Sequence, residues 1–233
     1  MQILIILAHP DHNSFNHALA HAIRAVLSER GHQVVFHDLC AEAFEPLLPA
    51  GEIPQEGKVT PLIRQHCAEL AAADGIVVVH PNWWGQPPAI LTGWIDRVFR
   101  PGVAYRFDSG DSGEGVPVSL LKARAALVIN TSNTPDAREK AAFGDPLERI
   151  WRHCIFEVCG VRRIERRVFN VIVTSSREQR HAWLDEARQL AADLFRDDSR
   201  KKPSFKEHLL SMPNVGKDED FERGPQINRP VEL

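Results

Sequence analysis

Three short runs of this chain carry side chains that bind and stack rather than cut. The first is HPDHNSFN, residues 9–16, set between an apolar run and a segment of helical spacing. A helix beginning near Ser14 leaves its first backbone N–H groups unpaired and partly positive, which suits a phosphate. His9, Ser14, Phe15 and Asn16 would border that anion, although Asp11 would repel it unless turned away. The second run is HPNWWGQPP, residues 80–88, with Trp83 and Trp84 side by side between prolines. Adjacent rings on one loop do not easily both point inward, so at least one is expected to face a flat ligand. The third is NTSNTPD, residues 130–136, where Thr131, Ser132, Asn133 and Thr134 offer hydroxyls and backbone N–H groups to a planar heterocycle. Asn133 also tolerates left-handed backbone. Each run alone has a plain structural use: a helix cap at Ser14, a core plug for one tryptophan, a polar turn at 130–136. An anion site, an aromatic platform and a polar rim together describe a flavin nucleotide site.

The elements that must bring these runs together alternate along the chain. Strands are expected at residues 2–7, 33–37, 76–79, 125–129 and 168–173, and helices at 15–30, 61–73, 88–99, 145–158 and 177–195. Residues 76–79 lack alternation, which implies burial on both faces. Five strands separated by helices argue for an α/β doubly wound parallel sheet, whose ligands bind at the carboxyl ends of the strands. All three runs follow strands and so fall at that edge. Residues 1–196 read as one domain. Residues 197–233 read as a charged extension on the surface or on a partner, and residues 108–115 as a flexible loop.

Composition narrows the partners. Of 233 residues, 43% are hydrophobic and 25% charged, and 31 acidic against 28 basic side chains leave a net charge of -3. That balance gives no reason to expect nucleic acid or an anionic membrane. No targeting pattern or membrane-length apolar run stands out, and four cysteines read as reduced, mostly buried thiols of a cytoplasmic protein. His17 and His21 lie one helical turn apart with His12 upstream, but without an HExxH glutamate they read as a wet helix face, and no metal is expected. Arg166 and Arg167 read as solvated ends of an element, and His9, Asp11 and Ser14 are too crowded for a hydrolase triad.

The sequence resembles the NAD(P)H:quinone oxidoreductase family of flavodoxin-like proteins. The matching residues are His9 with Ser14-Phe15-Asn16, Asp38-Leu39 followed by Phe44 and Pro46, and Ala72-Ala73-Asp74. The most specific match is Pro81-x-x-Trp84 with Pro88-Ala89-Ile90-Leu91-x-Gly93-Trp94-Ile95-x-Arg97-Val98-Phe99. The resemblance implies that Ser14, Phe15 and Asn16 hold the flavin phosphates. The backbone of Asn82, Trp83, Trp84 and Gly85, after Pro81, would line the ring, and Asn130, Thr131, Ser132 and Asn133 would close its far side. It also implies a homodimer with the site at the subunit interface, Tyr105 and Phe107 reaching over the partner's flavin, and residues 90–99 in the dimer surface. The implied activity is ping-pong two-electron reduction of a quinone or related small acceptor by NAD(P)H, with the flavin carrying the hydride. Regulatory flavoproteins of potassium efflux systems are relatives too, so a transporter subunit is the alternative; a one-electron carrier would be shorter and more acidic. Two departures stand out. Thr131-Ser132-Asn133 replaces the glycines of mammalian relatives, and Phe143 stands where they carry a histidine, with no tyrosine nearby. The stretch 45–60 is long enough to shelter an adenine, which favours FAD over FMN.

Overall fold

The computed structural model describes residues 1–54, 56–108, 115 and 117–196. The expected surface tail at 197–233 and most of the expected flexible loop, 109–114, lie outside them. In chain order the described elements are β1 (Gln2–Leu7), α1 (Phe15–Glu29), β2 (Gln33–Asp38), α2 (Pro61–Ala72), β3 (Gly75–Pro81), α3 (Ala89–Val98), β4 (Tyr105–Arg106), β5 (Val118–Ser119), β6 (Ala125–Ser132), α4 (Asp136–Phe143), α5 (Pro146–Glu148), β7 (Arg163–Asn170) and α6 (Arg177–Leu194). A π-helical stretch, Arg149–Glu157, continues α5.

Five strands form a parallel sheet in the order β2-β1-β3-β6-β7. All seven residues of β3 and all eight of β6 are buried. Their uninterrupted apolar runs are what strands covered on both faces require. One face packs Leu4, Ile6, Val78 and Val128 against Leu70 of α2 and Trp94 of α3. The other packs Ile3, Ile5, Val77 and Leu127 against Leu19 and Ile23 of α1 and Ala187 and Ala191 of α6. The chain reverses its direction of travel across the sheet between β1 and β3, so the loops after these two strands diverge and leave a crevice.

Several expectations need correction. The last strand is residues 163–170 rather than 168–173. It is a sheet edge, where Arg163, Glu165 and Arg167 alternate with interior residues, so its charged first half hid it while the apolar run 168–173 attracted the assignment. The run 130–136 is not all loop: β6 extends through Ser132, and a helix absent from the expected set, α4, starts at Asp136. Asp136 and Glu139 in its first turn and left-handed Gly144 at its end are the cues that mark it. The single helix expected over 145–158 is α5 plus the π stretch, and a two-stranded antiparallel ribbon, β4 with β5, lies outside the main sheet. Of the four cysteines, only Cys67 and Cys159 are buried, while Cys154 is exposed.

Candidate functional site

A cavity of about 820 Å³ opens at the carboxyl ends of β1, β3 and β6. From the first loop it takes His9, Asp11, Ser14, Phe15 and Asn16. Ser14 is the N-cap of α1, its backbone extended and its Oγ facing the His17 N–H. The next amides, of Phe15 and Asn16, lie in the first helical turn, where the helix supplies no carbonyl for them. The cap and the anion-binding readings of Ser14 are thus compatible. Asp11 is turned into its own loop, its Oδ1 accepting from the Asn13 N–H at 2.9 Å. Burial pushes the His9 imidazole below its ordinary pKa, so it lines the cavity chiefly as a neutral ring.

The second wall is a tight turn. Trp83 N–H donates to the Gln86 carbonyl and Gln86 N–H to that of Trp83, at 3.2 and 3.0 Å. The two residues between, Trp84 and Gly85, have φ of 58° and 72°. Two left-handed central residues define a type I′ turn, in which asparagine or aspartate and then glycine is the usual pair. Trp84 occupies the first of these places, where an L side chain costs about 1–2 kcal/mol, and its side chain is 100% exposed. Asn82 braces the turn: its Oδ1 accepts from the Gly85 N–H, its Nδ2 donates to Glu139 Oε1 on α4, and its own N–H donates to the Thr131 carbonyl. Pro81, Asn82, Trp83, Trp84 and Gly85 all border the cavity.

The third wall comes from Thr131, Ser132, Asn133 and Thr134. Asn16 ties the first wall to the third, its Nδ2 donating to Thr131 Oγ1 at 2.9 Å. Ser132 Oγ accepts from the Thr134 N–H at 3.0 Å. Phe143 borders the cavity as expected. Glu139, Pro146 and Ile172 do so as well, although no sequence cue singled them out.

Asn130 is the exception among the expected ligand-binding residues. It is fully buried below the cavity and belongs to a network that holds the walls. Its Nδ2 donates to His80 Nε2, which also accepts from Trp151 Nε1, at 2.9 and 2.8 Å. His80 Nδ1 in turn donates to the Pro81 carbonyl at 2.8 Å. Burial pushes the His80 pKa down to about 3, and a second ring proton would meet two N–H donors head-on. Arg166 completes the network, donating to Asn130 Oδ1 and pairing with Asp145 and Glu148. It is therefore a buried ion-pair residue and not the solvated end expected. Tyr105 and Phe107 lie outside the cavity, packed edge to face at 5.7 Å on the β4 ribbon. The described part of 45–60 lines none of the cavity either. It is clamped to α3 by Glu52, whose carboxylate takes two bonds from Arg97 at 3.0 and 2.6 Å, and by Pro46, which sits where a Cβ on Gly93 would be.

The strand order opens a crevice beside β1, with a helix N-terminus and an aromatic turn bordering the cavity there. A family model described as the flavodoxin-like fold matches residues 1–193. This chain belongs to that family. Within it, the chain is 34% identical over 198 residues to a protein of Haemophilus influenzae named as an uncharacterized NAD(P)H oxidoreductase, a match covering 81% of this chain and 93% of the other. It is 32% identical over 185 residues to NAD(P)H dehydrogenase [quinone] 1 of Cavia porcellus, covering 70% of this chain and 66% of that one. The NAD(P)H:quinone oxidoreductase of Methanothermobacter marburgensis superposes with a TM-score of 0.71 at 25% identity, over 83% of this chain and 96% of that structure. Among the described residues no helix is long and apolar enough to cross a membrane.

Proposed function

We propose that this flavodoxin-like protein is a flavin-dependent NAD(P)H oxidoreductase acting on quinones or related acceptors. The observation that carries the reading is Trp84, a large aromatic held fully exposed in strained backbone at the rim of a cavity whose opposite end is a helix N-terminus. Strain of that kind persists where the surroundings enforce it, and it marks sites of function. The donor set fits a flavin nucleotide. The first-turn amides of Phe15 and Asn16 with Ser14 suit a phosphate, and the Trp83–Gly85 turn with Thr131, Ser132 and Asn133 suits a flat heterocycle carrying both donors and acceptors. When bound, that group would take a hydride from NAD(P)H and, once the nucleotide leaves, yield two electrons to a quinone in the same place.

The chain's own part is to orient, cover and exclude water. Asn82 fixes the turn against β6 and α4, and the His80 network fixes the β3 end from below. Among the described residues no arginine or lysine lines the cavity, so the backbone dipoles of the α1 N-terminus and the Trp83–Gly85 turn would do the positioning. The described walls offer groups suited to FMN. The adenylate of FAD would need a surface outside them, since Glu45, Pro46 and Glu52 face α3. A homodimer is supported by the apolar groove of Trp84, Ile95, Ile150 and Ile155 on the outer side of the turn, with Tyr105 and Phe107 near enough in sequence to α3 to reach across.

Anaerobic stopped-flow mixing of the flavin-loaded protein with NADPH or NADH tests the reading. Fast bleaching of the flavin band, reversed by a quinone without a radical signal, is expected. Failure of both nucleotides to bleach a bound flavin refutes it and favours the transporter-subunit alternative. Chromatography of the heat-released cofactor distinguishes FMN from FAD.

A further inference from the structure

His12, His17 and Asp38 turn one nitrogen or oxygen each toward a common point, all within 4.8 Å of one another. The sequence placed His17 on a wet helix face. Instead it is buried, 5% exposed, with Nε2 2.9 Å from Asp38 Oδ2, while the largely exposed His12 places Nδ1 3.8 Å from the same oxygen. We propose that these three side chains form a binding site for a divalent transition-metal ion of the zinc class, joined to the cavity wall through Ser14.

The carboxylate is already oriented for this. Asp38 Oδ1 accepts from the Cys40 and Ala41 N–H groups, both at 3.1 Å, which leaves Oδ2 directed at the histidines. Ligand atoms around a tetrahedral zinc with bonds near 2.0–2.1 Å stand about 3.3 Å apart. The observed separations of 2.9 and 3.8 Å straddle that value. His12 sits on the loop before α1 with a side chain 69% exposed, so no packing opposes the small rotation that would close the longer one. The proton balance also works. His17 Nδ1 lies 3.0 Å from Ser14 Oγ. When the metal takes Nε2, the ring proton resides on Nδ1 and is donated to Ser14 Oγ, which stands in for the carboxylate, carbonyl or water that usually fixes the tautomer of a metal-bound histidine. Two imidazoles and one carboxylate leave a fourth position for water.

A second cluster, His37, Glu42 and His66, shows why such groupings need this check. His66 Nδ1 accepts from Trp94 Nε1 at 2.9 Å, so its Nε2 must carry the ring proton and has no lone pair for a metal. The His12 cluster has no such conflict.

The test uses the untagged full chain, stripped with EDTA, dialysed and titrated with zinc chloride against a chromophoric chelator. One zinc per chain is expected by elemental analysis. Affinity should fall at least tenfold in His12→Ala, a variant of an exposed residue that leaves the fold intact, and binding should be lost in Asp38→Asn. His153→Gln, at a surface pair with Glu157, should bind as the parent does. Two-bond nitrogen–proton NMR should show the His17 proton move from Nε2 to Nδ1 on zinc addition. No zinc retained by the parent chain, or equal affinity in His12→Ala and Asp38→Asn, overturns the proposal.

Discussion

Replacing Trp84 with asparagine separates the two roles assigned to that residue. The ring is 100% exposed in the free chain and its φ is 58°. Its removal therefore forfeits no burial within one chain, the state in which the stability is to be measured, while asparagine accepts left-handed backbone with less strain. A gain of about 1 kcal/mol in the stability of the flavin-free protein is expected, the lower end of the cost of that conformation for an ordinary L residue. In a chain of this size that raises Tm by about 2–4 °C. Binding should move the other way. Losing one stacking face against a planar ring costs about 1–3 kcal/mol by analogy with nucleobase stacking, so the flavin Kd should weaken about 5- to 150-fold. Thermal unfolding of the flavin-free variant and quenching of flavin fluorescence on titration measure the two effects. A less stable variant shows that the ring is packed in the free molecule. An unchanged Kd shows that it does not face the ligand. Either result refutes the reasoning.

Glu52→Ala should cost about 3–5 kcal/mol, because it leaves the buried Arg97 guanidinium without its carboxylate; urea unfolding reads the loss. Flavin affinity under native conditions should be unchanged, since the described residues of 45–60 line none of the cavity, and a lowered affinity would restore an adenine-sheltering role. Acid should destabilise the fold through His80. Its folded pKa is held near 3 by burial, so the unfolded chain takes up a proton below about pH 6.5 that the folded chain refuses. Stability then falls as pH drops through that window, by at most about 1.4 kcal/mol per pH unit from this group. His80→Asn should flatten the slope of unfolding free energy between pH 6 and pH 4, at the cost of a weaker hold on the β3 end.

The sequence determined the parts whose signals are local. Apolar runs specified β1, β3 and β6 as strands, with β3 buried on both faces, periodicity specified α1, α2, α3 and α6, and the alternation of strands and helices specified a wound parallel sheet. Because such a sheet binds ligands at the carboxyl ends of its strands, the sequence places the three polar runs after β1, β3 and β6 at one edge, and residues of all three border one cavity. Tertiary structure decided what depends on distant partners. Whether Asn130 faces a ligand or a core network depends on where β6 ends. Whether Arg166 is solvated depends on Asp145 and Glu148, some twenty residues away in sequence. The edge strand β7 and the short helix α4 carry too little apolar periodicity to stand out alone. The left-handed strain at Trp84 and the meeting of His12 and His17 with Asp38 are products of folding: a turn's φ angles and a three-way approach from two elements are not encoded in the spacing of the residues that make them.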